Sequence, residues 1–112
     1  MQLKTVTFDA ADPARLAAFW AEATGRKIEH STEAVAILAP DETNVRMLFL
    51  KVPEEKTTKN RVHVDFGVPD REAEVARLVG LGATRHDTHN QWGIEWTVMT
   101  DPEGNEFCVA KE

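Results

Sequence analysis

The two halves of this chain read the same way, and no other feature limits its fold as tightly. Laid on one another at an offset of 58 residues, they pair Phe8 with Phe66, Asp12 with Asp70, Ala18 with Ala76 and Phe49 with Phe107. The same offset sets Val6 on Val64 and Trp20 on Leu78. Matches this sparse gain weight because the order of predicted elements repeats with them, one offset serving the first and last strand of each half.

In the first half, residues 3–10 alternate, with Val6, Phe8 and Ala10 on one side and Thr5, Thr7 and Asp9 on the other, the period of a half-buried strand. Asp12-Pro13 then opens a helix: the aspartate accepts a backbone N–H at the N-cap, and proline gives up a donor that would have no partner. Leu16, Phe19, Trp20 and Ala23 keep helical spacing up to Gly25, a C-terminal stop. Short strands are expected over about 27–30, 34–39 and 45–52, with Pro40-Asp41-Glu42-Thr43-Asn44 as the turn before the last.

The polar stretch PEEKTTKN (53–60) is a connector. Beyond it RVHVDFGV (61–68) reads as a strand, and 70–81 as a helix with Val75, Leu78 and Val79 apolar and Gly82 near its end. Strands follow at 83–87, 92–100 and 106–110, the last two separated by Asp101-Pro102-Glu103-Gly104-Asn105, where proline suits position i+1 and glycine supplies a positive φ. Both halves are βαβββ, so the fold class is α+β. The expected organisation is one domain made of a module over about 1–53, the connector 53–60, and a second module over about 61–112.

A chain of 112 residues can bury a core without staples. Its formal charge of −6 argues against nucleic acid or an anionic membrane surface as partner, since both are bound by clustered Lys and Arg. The single cysteine, Cys108, rules out an intramolecular disulfide. Met1-Gln2-Leu3-Lys4 leads into a strand instead of an apolar leader, and no run approaches the roughly 18 apolar residues of a membrane span, so a cytoplasmic location is expected.

The repeated unit, with VHVDFGVPD at the head of its second copy and DPEGNEFCV at its tail, resembles the vicinal oxygen chelate superfamily, in the glyoxalase-like branch beside glyoxalase, bleomycin-resistance and dioxygenase proteins. The resemblance implies two modules paired edge to edge, sheets curled into a cup with helices on the convex side, a site inside the cup, and a homodimer. Metal-using members place one ligand on the first and one on the last strand of each module, around a divalent cation that acts as a Lewis acid. Position by position, this chain offers Thr5 and Leu50 in the first module and His63 and Cys108 in the second. Two donors of four do not make a divalent site, so no cofactor is expected. Zinc is the alternative that a His/Cys pair would suit.

If Val6, Phe8, Phe49, Val64, Phe66, Phe107 and Val109 face the helices, alternation puts Thr5, Thr7, Asp9, Arg46, Leu48, Leu50, His63, Asp65, Glu106 and Cys108 on the cup side. The ligand-binding set is therefore His63, Asp65, Cys108, Thr5, Thr7, Arg46, Leu50, Trp92, Trp96 and Glu106. His63 is the catalytic candidate and the weak metal candidate, though a histidine hydrogen-bonded to its neighbours is the plainer reading. Asp65 is its charge-setting neighbour, and Cys108 is either a small buried hydrophobe or a thiol activated by His63. Arg46 is expected to pair with Asp9, Asp65 or Glu106 or to meet a ligand. Trp92 and Trp96 share a strand face and stack a planar ligand or pack in a core or dimer interface. His86 and His89, three apart, should point to opposite faces as surface residues.

The reading that follows is a small-molecule-binding protein of the vicinal oxygen chelate type whose metal centre has been lost, with its ligand in the cup. The alternative is a glyoxalase-like lyase or dioxygenase-type enzyme, with a non-standard metal site drawing on Glu106, Asp65 or Asp9, or with His63 as a metal-free acid/base. A third possibility is an interaction module whose Trp-bearing face is an interface.

Overall fold

A computed structural model describes residues 1–112. The elements run β1 (Thr5–Ala10), α1 (Pro13–Thr24), β2 (Ile28–Ser31), β3 (Val35–Leu38), β4 (Arg46–Lys51), β5 (Val64–Val68), α2 (Arg71–Leu81), β6 (Thr84–Gln91), β7 (Ile94–Thr100) and β8 (Glu106–Lys111). They form two four-stranded mixed sheets of the same topology, β1-β4-β3-β2 and β5-β8-β7-β6. In each, the first strand lies parallel to the last and the other pairs are antiparallel. The chain divides into two compact units, Met1–Glu55 and Lys56–Glu112.

Capping chemistry positions both helices. Asp12 accepts from the Arg15 N–H at 3.2 Å with Pro13 at the first helical position, and Asp70 accepts from the Ala73 N–H at 3.1 Å. Gly25 and Gly82 close the two helices, their N–H groups donating to Ala21 and to Leu78 and Val79. The apolar stripe of α1, Leu16, Ala17 and Trp20, is buried with Ala36, Leu38, Met47 and Phe49 of the first sheet. The Phe8 ring lies 5.3 Å from Phe49 and 5.7 Å from Trp20. Val75 and Leu78 of α2 are buried with Met99, Phe107 and Val109, and Phe66 meets Phe107 edge-on at 6.1 Å.

Polar contacts fix which side of the second sheet the helix covers. Arg71 donates to the buried Thr97 hydroxyl at 2.6 Å, Thr97 meets Thr88 at 2.9 Å, and Arg85 grips Glu72 through both its terminal nitrogens at 2.7 and 3.0 Å. Arg85, Thr88, Thr97 and Met99 therefore face α2, while His89, Trp96, Val98, Glu106, Cys108 and Asp65 occupy the opposite, open face.

Three expectations need correction. Arg61 to His63 lie outside β5, which starts at Val64. The connector is held to the start of β8 instead of extending the ladder: the Asn60 N–H donates to Glu106 at 3.0 Å and its side-chain amide reaches Asn105 at 3.5 Å. Next, β6 is not a strand of five residues ending at 87 but of eight, through Gln91, so Trp92 falls in a turn and not in β7. Finally, one offset does not serve both the first and the last strand of each half. Thr7 pairs with Leu48, whereas Asp65, 58 residues on from Thr7, pairs with Cys108, 60 on from Leu48.

Turn chemistry confirms that shift. Asp41 accepts from Thr43 and Asp101 from Glu103, both at 2.9 Å, and the residue that closes each turn has a positive φ, 63° at Asn44 and 86° at Gly104. These turns are 60 residues apart, whereas the N-caps are 58 apart. The extra length lies between the α2 cap and the Asp101 turn, in the stretch that holds the long β6–β7 hairpin.

Candidate functional site

On the open face of the second sheet, the register β5–β8–β7 sets Asp65 beside Cys108 and Cys108 beside Val98. His63, one residue ahead of β5, turns its ring to the same place, with Nε2 3.4 Å from an Asp65 carboxylate oxygen. One ligand atom from each of His63, Asp65 and Cys108 lies within 4.8 Å of the other two. The corner is open on its acidic side, since the His63 and Asp65 side chains are 43% and 68% exposed, and closed at its base, since Cys108 is 8% exposed.

This setting decides the state of the thiol. Burial first, then the Asp65 charge and a hydrogen bond to Asp65, push the Cys108 thiol up to about 11, with Lys59 opposing weakly. Cys108 is thus a protonated donor to a carboxylate at neutral pH, not an activated thiolate. His63 does not convert it into a nucleophile, because Asp65 sits with both and favours the proton on sulfur.

The remaining candidates are distributed by register. Thr5, Thr7 and Asp9 pair with Arg46, Leu48 and Leu50 on the face of the first sheet away from Phe8, Met47 and Phe49. Arg46 binds none of the three carboxylates expected for it: its Nε donates to Glu29 at 3.0 Å, because β2 brings that glutamate into reach across β3. Glu106 is committed to the connector through the Asn60 N–H and Lys56. Burial pushes its carboxyl up, but backbone N–H donors and Lys56 more than offset this and hold it below the ordinary range.

The two tryptophans meet although Trp92 is off the strand. Their rings lie within 6° of parallel with centroids 6.2 Å apart, and the His89 ring stacks on Trp96 at 5.4 Å. His89 is the residue that alternation misplaced. The β6–β7 pairing slips between Arg85 and Thr88, so His86, which meets the Thr100 hydroxyl at 3.0 Å, and His89, paired with Trp96, share the open face despite being three apart. Nothing in TRHDTHNQ marks that bulge; only the pairing reveals it.

The positions at which metal-using relatives carry ligands can now be tested. By register the first-module counterpart of Cys108 is Leu48, not Leu50, and the counterpart of His63 is Thr5. An aliphatic side chain supplies no donor, so the residues present do not fit a four-ligand centre with one donor from the first and one from the last strand of each module.

A family model described as a glyoxalase-like domain matches residues 5–110. No curated protein matches the chain. Among solved structures, a glyoxalase/bleomycin resistance protein/dioxygenase family enzyme from Burkholderia phytofirmans PsJN is similar with a TM-score of 0.81 and 19% identity, over 99% of this chain and 98% of that one. A glyoxalase-related enzyme from Fulvimarina pelagi gives 0.78 and 15%, over 100% and 88%. A lactoylglutathione lyase from Agrobacterium tumefaciens gives 0.72 and 14%, over 98% and 92%. At these identities the likeness is one of fold.

Proposed function

The chain belongs to the glyoxalase-like domain family, and from that premise we propose that it binds a small organic molecule on the open face of its second sheet without the family's four-ligand metal centre. The observation that carries this reading is the strand register of the first module, which sets Thr5 and the aliphatic Leu48 where the second module has His63 and Cys108, so the donor set of a four-ligand centre is incomplete. His63 and Asp65 then offer a polar, partly solvated corner, and Val98 and Trp96 continue the face as apolar surface. A few directed polar groups beside an apolar wall is the composition of small-molecule sites.

The test is a panel of planar and amphipathic compounds, read by thermal shift and tryptophan fluorescence. Binders should raise the melting temperature and lose affinity on His63→Ala and Asp65→Asn. A panel without a single binder, or binders indifferent to both substitutions, would sink the reading.

One observation favours a second reading, a lyase- or dioxygenase-type enzyme with a non-standard metal site: three donors from a single module, His63, Asp65 and Cys108, lie within 4.8 Å of one another. Three protein ligands are the count of catalytic zinc sites. Elemental analysis of protein purified without chelator separates the two. Stoichiometric divalent metal, lost on both His63→Ala and Asp65→Ala, would establish the second reading.

A further inference from the structure

We propose that the open face around Trp96 is a stacking site for a planar aromatic cation, with the ring on the Trp92–Trp96 pair and the positive group directed to Asp65 and Glu112. The inference rests on the small-molecule reading above and names its ligand class.

The indoles are the first observation. Trp92 and Trp96 lie near-parallel, with His89 stacked on Trp96, and Trp92 is 85% exposed with the half-exposed Ile94 two residues on. Indole faces are electron-rich and attract cations and electron-poor rings.

The backbone is the second. Trp92-Gly93 forms the tip of the β6–β7 hairpin with φ values of 54° and 75°, both positive as a type I′ turn requires. Asn, Asp or Gly takes the first of these positions cheaply, whereas a bulky side chain is strained there. The hairpin itself gives no reason for tryptophan, and an exposed aromatic held in a strained conformation is the kind of outlier that points to a contact with something else.

Charge is the third, and it selects a cation. From Trp96 the register runs to Ala110 and Gly67, two small residues that keep the floor shallow across two strand spacings, about 10 Å. At Gly67 a Cβ would meet the Glu112 side chain, its carboxylate included, at 3.0 Å, so a second acidic group lies beside Asp65 on this side of β5. Neither carboxylate has a lysine or arginine ion pair: the only ion-pair partner of Asp65 is His63, Lys56 is taken up by Glu106, and Lys59 is near enough to act on Cys108 but forms no ion pair with either carboxylate. The sheet's own arginine contacts, Arg71 and Arg85, are on the helix side. An anionic ring would be repelled from this floor, and a cationic one drawn to it.

The experiment is a titration of the full chain with proflavine, a planar tricyclic cation, and with 1-pyrenesulfonate, a planar anion, read by quenching of tryptophan emission, with sedimentation velocity in parallel. Proflavine should quench saturably and bind at least tenfold tighter than the sulfonate. Trp96→Ala should weaken proflavine at least tenfold, and Asp65→Asn with Glu112→Gln should weaken it several-fold while sparing the sulfonate. Trp92→Asn suits the turn better than the natural residue, so loss of binding in that variant cannot be attributed to misfolding. Equal binding of both probes, or proflavine binding unmoved by Trp96→Ala, would overturn the proposal. So would a dimer that dissociates on Trp92→Ala and ignores proflavine, which would make the face an interface between copies. Panel compounds that respond to His63→Ala while proflavine does not bind would sink this inference alone and leave the small-molecule reading standing.

Discussion

The state of the Cys108 thiol in metal-stripped protein can be titrated directly, and its role as a donor to Asp65 depends on it. A thiol pushed from 9.0 up to about 11 holds about a hundredfold less thiolate at neutral pH than an unperturbed one. Two units correspond to at most about 3 kcal/mol, and solvent reaching the exposed Asp65 side reduces that. The sign follows from the direction of the shift. The folded state holds the proton more tightly than the unfolded chain, so this contribution to stability is fully present below pH 9 and is lost as pH rises toward 11. Thiolate ultraviolet absorbance is the assay of choice, because it does not require a reagent to enter a buried position. Asp65→Asn removes the charge and the acceptor but not the burial, so its midpoint should fall part of the way back toward 9. A wild-type midpoint at or below 9, or one unmoved by Asp65→Asn, would refute the reasoning.

Other outcomes follow from the packing and the caps. Phe49→Ala empties a fully buried site against Phe8 and should cost about 3–5 kcal/mol in urea denaturation. Asp12→Ala and Asp70→Ala should each cost about 1 kcal/mol by removing a cap acceptor, and because the caps lie in different units the two losses should add. Hydrogen bonds from Arg85 hold the Glu72 carboxyl down at about 2, so its contribution is present above pH 4.5 and lost as pH falls toward 2; Glu72→Gln should flatten the acid limb of a stability–pH curve over that window.

The sequence showed its architecture where chemistry is local. Asp12-Pro13, Asp70, Gly25, Gly82 and the DPEGN turn each fix a boundary by a cap or a backbone dihedral that few residues satisfy, and those boundaries hold. Where pairing decides, local signals were insufficient. The segment THNQ carries turn-forming residues, yet it is strand because β7 supplies a ladder partner, and every residue of β6 is exposed, so no apolar alternation marks it. The bulge that brings His86 and His89 to one face and the two-residue shift that makes Leu48 the counterpart of Cys108 arise from the same hairpin.

The site divides along the same line. His63, Asp65 and Cys108 could be brought together in advance, because the resemblance marks strand positions and alternation marks faces. The commitments of Arg46 to Glu29 and of Glu106 to the connector depend on neighbours from β2 and the Lys56–Asn60 segment, which no spacing rule reaches.

The most direct test of the central claim is an amide NMR titration of EDTA-treated protein with the compounds that score in the panel, repeated after zinc is added back. The account predicts saturable shifts at Asp65, Cys108 and Trp96 in the metal-stripped protein, with affinity unchanged by zinc. Shifts at these residues that emerge only after zinc returns would contradict it.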